Sequence, residues 1–258
     1  TPPAVSANSK CVARNNKLIV YTCVTGGYDS VSRPSALPDW ADFVCFGQDL
    51  PITWQAKDNT QLARYAKLNP HIVLPEGYDY CLWIDGNIDI VDPGFFCKVS
   101  EMMNSGILLA GLHHPQRDDV YEESLRILKN SRESFQRLVK VLKFLRKEGF
   151  PEHYGLDETN VILRKHCDPG IVEFDGLWWD TLSTWTNRDQ MTQSYCFWKT
   201  GLPHGYFLPQ GQCAQNHPWF KYTFHGKPYI KDRSLQGRIK DAWRALVVFA
   251  YKTFMRIQ

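Results

Sequence analysis

The sequence predicts a three-layer α/β/α protein with a mainly parallel sheet. Strand-like apolar runs alternate with helical patterns along the 258 residues, and such alternation is typical of a parallel sheet covered by helices. Hydrophobic residues make up 43% of the chain and charged residues 22%. This balance is that of an ordinary folded domain, and it excludes wholesale disorder and a coiled coil.

The predicted elements follow one another along the chain. Buried strands are expected at 17–25, 42–47, 80–84, 106–112 and 159–163, with a weaker sixth strand at 171–174. A helix is expected at 59–68. One long helix should begin at Asp118 or Asp119, either of which can cap it, and end at Gly149.

Polar clusters follow three of these strands, after Thr25, Ile84 and Leu112. In open α/β sheets, ligands bind outside the carboxyl ends of the strands. The sequence therefore predicts a ligand site at that edge of the sheet.

The sharpest motif is the turn Asp85-Gly86-Asn87, which follows a buried strand. Two side-chain oxygens separated by one residue can hold a divalent cation, Mn²⁺ or Mg²⁺, together with phosphate oxygens. A β-turn that needs Asp-Gly-Asn only for its backbone conformation is the alternative interpretation. The turn is a candidate metal site at Asp85 and Asn87.

The first strand carries a second candidate motif, because it ends in glycines whose backbone a ligand can approach closely. The motif is neither GxGxxG nor a phosphate loop, which disfavours dinucleotide oxidoreduction and P-loop hydrolysis. A plain strand-to-loop turn is the alternative. The candidate nucleoside contacts are Tyr21, Thr22, Thr25, Gly26, Gly27, Tyr28 and Asp29.

Other charged and polar residues complete the set of candidates. Basic groups that could bind phosphate or sugar are Arg64, Lys67, Arg117 and Arg188, with His113 and Gln190 beside them. The carboxylates Asp157, Glu158 and Asp189 are candidate catalytic groups on the donor-sugar or acceptor side. Solvated helix faces and polar loops are the competing interpretation of these groups.

The net charge and the cysteine pattern limit which partners and which location the sequence predicts. The net charge is only +3, so no nucleic-acid partner is expected. No run reaches the ~20 apolar residues of a membrane span, and the N-terminus lacks a hydrophobic signal core. The eight cysteines contain no CxxC pair, which favours buried free thiols and a cytoplasmic location.

The segments YTCVTGGYD, WIDGNIDI, HPQRDDVYEE, EGFPEHYGLDETNVILR and NRDQ together resemble the mucilage-related and turgor-regulation-related glycosyltransferase-like family. The resemblance spans residues 17 to 200, approximately. It implies a nucleotide-diphospho-sugar transferase-like fold of the glycosyltransferase A type. Asp189-Gln190 resembles the Asp-Gln motif of glycogenin-like retaining transferases. The His225-Gly226-Lys227-Pro228 segment is similar to their metal and diphosphate segment, which implies His225 as a metal ligand and Lys227 as a donor contact.

The resemblance thus predicts a glycosyltransferase that uses a nucleotide sugar, with a UDP-sugar favoured, and a glycan or lipid-linked glycan acceptor. Retention of configuration is favoured, whereas inversion would need a carboxylate base among Asp157, Glu158 and Asp189. The alternatives are a carbohydrate hydrolase and a catalytically inactive nucleotide- or carbohydrate-binding module.

The predicted domain organisation has three parts: a flexible segment at 1–16, the transferase domain at 17–230 and a basic amphipathic helix at 231–258. In that helix an apolar stripe is predicted at Leu235, Ile239, Trp243, Leu246, Ala250, Phe254 and Ile257. The stripe could lie on the inner face of a membrane or pack against protein.

Overall fold

The computed structural model describes residues 16–26, 31, 33–130, 132–223, 243, 246–251 and 253. The central sheet contains six strands in the order β2-β1-β3-β6-β5-β7. They are β1 (Leu18–Cys23), β2 (Ala41–Phe46), β3 (Tyr80–Ile84), β5 (Leu109–His113), β6 (Asp157–Lys165) and β7 (His204–Tyr206). Only β6 runs antiparallel to its neighbours within the sheet, so the sheet is mainly parallel, as predicted. The strands β4 (Ile88–Ile90) and β8 (Phe220–Tyr222) form a separate antiparallel ribbon.

Seven helices, α1 to α7, connect and cover the strands, and the described residues near the C-terminus are helical as well. The seven helices are α1 (Asn59–Leu68), α2 (Pro70–Val73), α3 (Pro93–Asn104), α4 (Val120–Lys129), α5 (Phe135–Lys147), α6 (Pro169–Trp185) and α7 (Gln190–Thr200). Their starts are visible in the sequence, because Asp58, Asp92, Asp119, Ser134 and Asp168 each accept a backbone N–H bond as N-caps.

Alternating residues of the strands build two hydrophobic cores on opposite faces of the sheet. In β1, Ile19 and Tyr21 face the core that α1 and α4 to α7 cover. Leu18 and Val20 face the other core, which α3 and the β4–β8 ribbon cover. These cores give the predicted three layers.

Two predicted elements were wrong. The long helix at 118–149 is two helices, because Asn130 caps the C-terminus of α4 and Ser134 caps the N-terminus of α5. The predicted strand at 171–174 lies inside α6, where Asp168 caps the helix and Pro169 occupies its first turn. The N-cap and the first-turn proline outweigh the short β-branched run.

The cysteines also depart from the prediction. Five of them, at 23, 45, 81, 196 and 213, are buried free thiols, but Cys167 is exposed. Cys97 is disulfide-bonded. The free-thiol interpretation therefore fails for Cys97.

The described residues 243, 246–251 and 253 are helical, and the rest of the helix predicted at 231–258 lies outside the described residues. Tyr251 is fully buried and donates a hydrogen bond to Oγ of Ser124 at 2.6 Å. Trp243, Leu246 and Phe249 keep 66%, 56% and 68% of their surface exposed. The predicted stripe residues Trp243 and Leu246 therefore do not pack against the domain. None of the described helices is both long and apolar enough to cross a bilayer.

Candidate functional site

The Asp85–Asn87 turn lies where β3 ends, at the carboxyl edge of the sheet. The backbone N–H of Asp85 donates to the carbonyl of Asn160 at 2.8 Å, which fixes the turn against β6. Oδ1 of Asp85 accepts a 2.7 Å bond from Nε1 of Trp83. The Asp85 side chain nevertheless keeps 38% of its surface exposed, so the carboxylate is oriented and still accessible.

Asn87 is held by the start of the β4–β8 ribbon. Its Nδ2 donates to the carbonyl of Thr223 at 3.0 Å, and the N–H of Thr223 donates to the carbonyl of Asn87 at 2.8 Å. The amide nitrogen is thus engaged, which leaves the side-chain oxygen as the group that can bind a ligand. The predicted metal ligand His225 lies outside the described residues.

A charged cluster joins this turn to the N-terminus of α7. Nζ of Lys67 lies 2.7 Å from Oδ2 of Asp189 and 3.3 Å from Oδ1 of Asp85. Arg64 approaches Oδ1 of Asp189 at 3.4 Å, and Thr159 donates to Oδ2 at 3.0 Å. Four predicted site residues, far apart in sequence, therefore meet in one cluster.

The electrostatics of the cluster keep Asp189 ionised. Burial raises the pKa of this carboxyl, but the charges of Lys67, Arg64 and Arg188 outweigh burial and hold the pKa well below its usual range. A carboxylate with so low a pKa is a poor proton acceptor at neutral pH. Asp189 is therefore suited to orienting its neighbours.

The charges of the cluster extend beyond these ion pairs. The cations Lys67, Arg64 and Arg188 meet the carboxylates Asp85 and Asp189, and Glu158 and Glu123 lie within electrostatic range of Asp85 and Arg188. Nε of Arg64 and Nε of Arg188 are buried without a hydrogen-bond partner in the part of the chain that the structure describes. Burial lowers the pKa of Arg188. Guanidinium and ammonium donors are suited to an anionic ligand such as a phosphate.

Glu158 lies beside the turn and differs electrostatically from Asp189. It is buried, and Nδ2 of Asn160 donates to its Oε2 at 3.1 Å. Burial raises the pKa of Glu158, and the nearby charge of Asp85 raises it further. Of the three predicted catalytic carboxylates, Glu158 combines proximity to Asp85 with a pKa shifted toward neutrality, as a general base requires.

Asp157 belongs to a separate polar network at the start of β6. Its carboxyl is hydrogen-bonded with the Tyr206 hydroxyl, and burial raises the pKa of Asp157 to about 7. The Tyr206 oxygen also lies 3.0 Å from Nε2 of His204. The predicted ligand residue His113 stacks on Tyr206 at 3.3 Å between ring centroids, and its Nδ1 lies 3.9 Å from Asp157.

The hydrogen bond in this network partly offsets the effect of burial on Asp157. Nδ1 of His204 faces the carbonyl of Leu202 at 3.3 Å, and burial lowers the pKa of His204. The bond from the Tyr206 hydroxyl lowers the pKa of Asp157, whereas burial, the larger effect, raises it.

The glycine-ended strand contributes less than the sequence predicted. Tyr21 and Thr22 are fully buried and present no surface to a nucleoside; the Tyr21 hydroxyl donates to the Lys67 carbonyl at 3.3 Å. Their side chains belong to the sheet core, which requires apolar packing there. Thr25 donates to the carbonyl of Asn59 at 3.0 Å, and Gly26 has a φ of 64°. The predicted contacts Gly27, Tyr28, Asp29 and Lys227 lie outside the described residues.

Arg117 is engaged away from the charged cluster. Its guanidinium pairs with Glu123 and lies 2.9 Å from Nε2 of His114. The pair fixes the loop before α4. Gln190, by contrast, stays near the cluster, because its Nε2 donates to the carbonyl of Asp157 at 3.1 Å.

The side chains of the turn are of the chemical type that binds divalent cations. Asp85 and Asn87 offer hard oxygen ligands, which Mn²⁺ and Mg²⁺ prefer. Among the described residues, no group of three His, Cys, Asp or Glu side chains could hold a metal ion. A complete coordination shell would therefore need further ligands from a substrate or from the rest of the chain.

Sequence reasoning missed several residues that shape the site. Thr159, Asn160 and Trp83 bind the carboxylates of the cluster, and His204 and Tyr206 bind or support Asp157. Thr159 and Asn160 were detectable, because they lie in the strand that begins with two predicted catalytic carboxylates. His204 and Tyr206 carried no signal, because β7 is only three residues long.

The mainly parallel sheet with one antiparallel strand carries an acidic turn at its carboxyl edge, and a family match places the chain among glycosyltransferase-like proteins. The family model described as TOD1/MUCI70, glycosyltransferase-like domain, matches residues 52–208, and the chain belongs to that family. No curated protein matches the sequence. Among solved structures, the chain is similar to mouse xyloside xylosyltransferase 1 in its apo form. The two are 8% identical, the match covers 73% of this chain and 83% of that one, and the TM-score is 0.40.

Proposed function

We propose that this protein transfers a sugar from a nucleoside-diphosphate donor, with UDP favoured, to a glycan or glycolipid acceptor in polysaccharide assembly. The observation that carries the proposal is the cluster in which Lys67 joins Asp85 to Asp189 at the carboxyl edge of the sheet. Its three cations suit a diphosphate, as do the Nε atoms of Arg64 and Arg188, which have no hydrogen-bond partner among the described residues. The transferase domain is proposed to span residues 17–230.

In the proposed reaction, the bond between the anomeric carbon and the diphosphate oxygen breaks. The acceptor oxygen bonds to that carbon, and its proton leaves with the diphosphate or with a protein base. Arg64, Lys67 and Arg188 stabilise the negative charge of the leaving group. Asp189 orients Lys67 and Arg64 and takes no proton itself, because its pKa is too low.

The stereochemical course depends on which group accepts the proton. Retention, which the resemblance favours, needs no dedicated protein base. For inversion, Glu158 is the best-placed base, because it is near Asp85 and its pKa is raised. Asp157 is less suited to that role because Tyr206 and His113, rather than the groups of the charged cluster, lie against its carboxyl.

A divalent cation, when bound, offsets the charge that develops on the departing diphosphate. Asp85 and Asn87 would hold it, and the resemblance adds His225 as a third ligand. Within the described residues, the two oxygen ligands and the 38% exposure of Asp85 support this assignment.

The location is proposed from two features. The disulfide at Cys97 favours an oxidising compartment rather than the cytoplasm that was predicted. The exposed Trp243, Leu246 and Phe249 support contact with a membrane surface. The segment 234–257 also holds the basic residues Arg238, Lys240, Arg244, Lys252 and Arg256 against the single acid Asp241, which favours anionic lipid.

The test is a thermal-shift panel of nucleoside diphosphates and nucleotide sugars, each with and without Mn²⁺ or Mg²⁺. Ligand at a hundred times its dissociation constant stabilises by roughly 2.7 kcal/mol, so we expect a cation-dependent shift with one nucleotide. No shift with any nucleotide would contradict the proposal. Glycan cleavage without a nucleotide sugar would indicate a hydrolase, and nucleotide binding without turnover would indicate an inactive module.

A further inference from the structure

Lys67 contacts the same carboxylate that is assigned to the divalent cation. Its Nζ lies 3.3 Å from Oδ1 of Asp85 and 2.7 Å from Oδ2 of Asp189. The proposed function gives this ammonium to the diphosphate and gives Asp85 to the cation, although the two groups are direct neighbours. A cation bound to Asp85 would therefore share that carboxylate with Lys67.

The two oxygens of the Asp85 carboxylate have different surroundings. Oδ1 accepts a 2.7 Å bond from Nε1 of Trp83 as well as the bond from Lys67. No hydrogen bond or ion pair from a described residue reaches Oδ2. Oδ2 is thus the oxygen that remains for a cation, while the ammonium lies against the other oxygen of the same group.

Several contacts hold the Lys67 ammonium in this position. The Lys67 side chain keeps only 4% of its surface exposed, and Asp189 is the closer of its two carboxylate partners. Nζ also lies 5.5 Å from the centroid of the Trp83 ring. An incoming cation therefore meets a fixed positive charge beside Asp85.

The charge of Lys67 opposes the binding of a free divalent cation. Like charges repel, and the repulsion is screened less between buried groups than between groups in water. Asn87, the other proposed ligand in the turn, is neutral and adds no attraction between charges. Glu158 lies within electrostatic range of Asp85, so its carboxylate attracts a cation that Lys67 repels.

A diphosphate reverses the effect of Lys67, because ammonium groups and hard cations both bind phosphate oxygens. A cation that arrives on a diphosphate brings with it the anion that neutralises Lys67. A free cation brings no such anion. The same ammonium thus disfavours the free cation and favours the complex of the cation with a diphosphate.

We infer that Lys67 makes the site selective for the complex of a divalent cation with a nucleoside diphosphate over the free cation. The inference rests on the proposed transferase function and adds the form in which the cation enters the site. By linkage, the nucleotide must raise the affinity for the cation by the same factor by which the cation raises the affinity for the nucleotide.

The experiment measures binding instead of turnover and uses the full chain. Mn²⁺ binding is followed by the electron paramagnetic resonance signal of unbound Mn²⁺, without nucleotide, with uridine and with UDP, after correction for the complex of Mn²⁺ and UDP that forms without protein. Lys67→Met and Lys67→Gln remove the charge, whereas Lys67→Arg keeps it. Lys98→Met is the control, because it removes the same charge from the surface of α3.

We expect the wild type to bind Mn²⁺ at least tenfold more weakly without nucleotide than with UDP. Uridine, which has no phosphate, should leave the Mn²⁺ affinity unchanged. Without nucleotide, Lys67→Met should bind Mn²⁺ at least tenfold more tightly than the wild type, and Lys67→Arg and Lys98→Met should match the wild type. Lys67→Gln should behave like Lys67→Met, and its amide can still donate to Asp189 if Lys67→Met fails to fold.

Unchanged affinity for free Mn²⁺ in the variants that remove the Lys67 charge would overturn the inference. An equal gain in Lys67→Arg would overturn it as well, because packing and not charge would then be responsible. Wild-type protein that binds Mn²⁺ as tightly alone as with UDP would overturn it without any variant. In each of these cases, UDP binding by the wild type preserves the transferase proposal, whereas failure to bind any nucleotide overturns that proposal first.

Discussion

Nζ of Lys67 lies 2.7 Å from Oδ2 of Asp189, although the two residues are 122 positions apart in the sequence. Both side chains are almost fully buried. The ammonium also reaches Asp85 at 3.3 Å, so a single cation connects a sheet-edge turn to the start of α7. The geometry of the candidate donor site therefore depends on this one ion pair.

Replacing Lys67 should destabilise the fold in a pH-dependent way. Lys67→Met leaves Asp189 buried with only its more distant cations, and we expect a loss of about 3 kcal/mol at pH 7. The folded-state pKa of Asp189 lies below its unfolded value, so its stabilising contribution is present above about pH 4 and is lost as the pH falls. Urea unfolding from pH 3 to pH 7 should therefore show a larger deficit at pH 7.

The control for that variant is Lys98→Met, because Lys98 pairs with Glu101 on the surface of α3. A surface pair contributes about 0–1 kcal/mol. If Lys67→Met cost no more than Lys98→Met, the buried pair would have no special role.

Asp157 should make the free energy of unfolding decrease as the pH rises, which is the opposite of the trend expected for Asp189. Its pKa is raised to about 7 in the folded protein. The protonated form of Asp157 therefore contributes its full stabilisation to the fold below about pH 4. This stability is lost as the pH rises toward 7, and the loss amounts to at most roughly 4 kcal/mol. Asp157→Asn should therefore gain stability relative to the wild type between pH 4 and pH 8. A constant difference across this range would show that Asp157 is ionised throughout.

Asp85→Ala should separate ligand binding from folding. Because Asp85 is partly exposed and ends a turn, we expect a change of less than about 1–2 kcal/mol in the free energy of unfolding. The Mn²⁺-dependent part of the UDP thermal shift should disappear. Asp39→Ala, which removes another exposed carboxylate, should keep the full shift, and retention of that shift in Asp85→Ala would remove Asp85 from the metal site.

The fully buried pair Arg164–Asp175 should matter for folding alone. Nε of Arg164 lies 3.0 Å from Oδ1 of Asp175, with both side chains inaccessible. Asp175→Ala leaves a buried guanidinium without its counter-ion, and we expect a loss of about 3–5 kcal/mol by calorimetry or urea unfolding. The double variant Arg164→Met with Asp175→Leu should recover most of that loss, and no recovery would point to packing rather than charge.

The exposed helix face should bind anionic membranes. We expect the wild type to sediment with vesicles of phosphatidylcholine and phosphatidylglycerol, and less with phosphatidylcholine alone. The double variant Trp243→Ser with Phe249→Ser should lose this binding, whereas Ile72→Ser, which changes an exposed apolar side chain elsewhere, should keep it. A concentration-dependent dimer that the double variant abolishes would assign the face to a second copy of the chain instead.

Much of the fold could be predicted because its strands carry strong local signals. The strand at 80–84 and the helix at 59–68 were predicted with the bounds that the structure shows. The break between α4 and α5 was missed because the apolar stripe continues in phase across it. The strands β4, β7 and β8 are three residues each, too short for periodicity to reveal.

The residue types of the candidate site were predictable from the sequence, but the ion pairs that these residues form were not. Motifs identified Asp85, Lys67 and Asp189, yet nothing local indicates that one ammonium contacts both carboxylates. Burial is equally invisible to a motif, which is why Tyr21 and Thr22 were placed beside a ligand. Tertiary packing decides both properties.

The bonds between Asn87 and Thr223 also constrain the order in which the site can form during synthesis. The two residues are 136 positions apart, so the ribosome releases the acidic turn long before its partner strand exists. Until β8 emerges, Asn87 has only solvent to satisfy its amide. A nascent chain would thus carry most of the sheet before this turn acquired its native bonds, and a chain that ended within α7 would lack those bonds altogether.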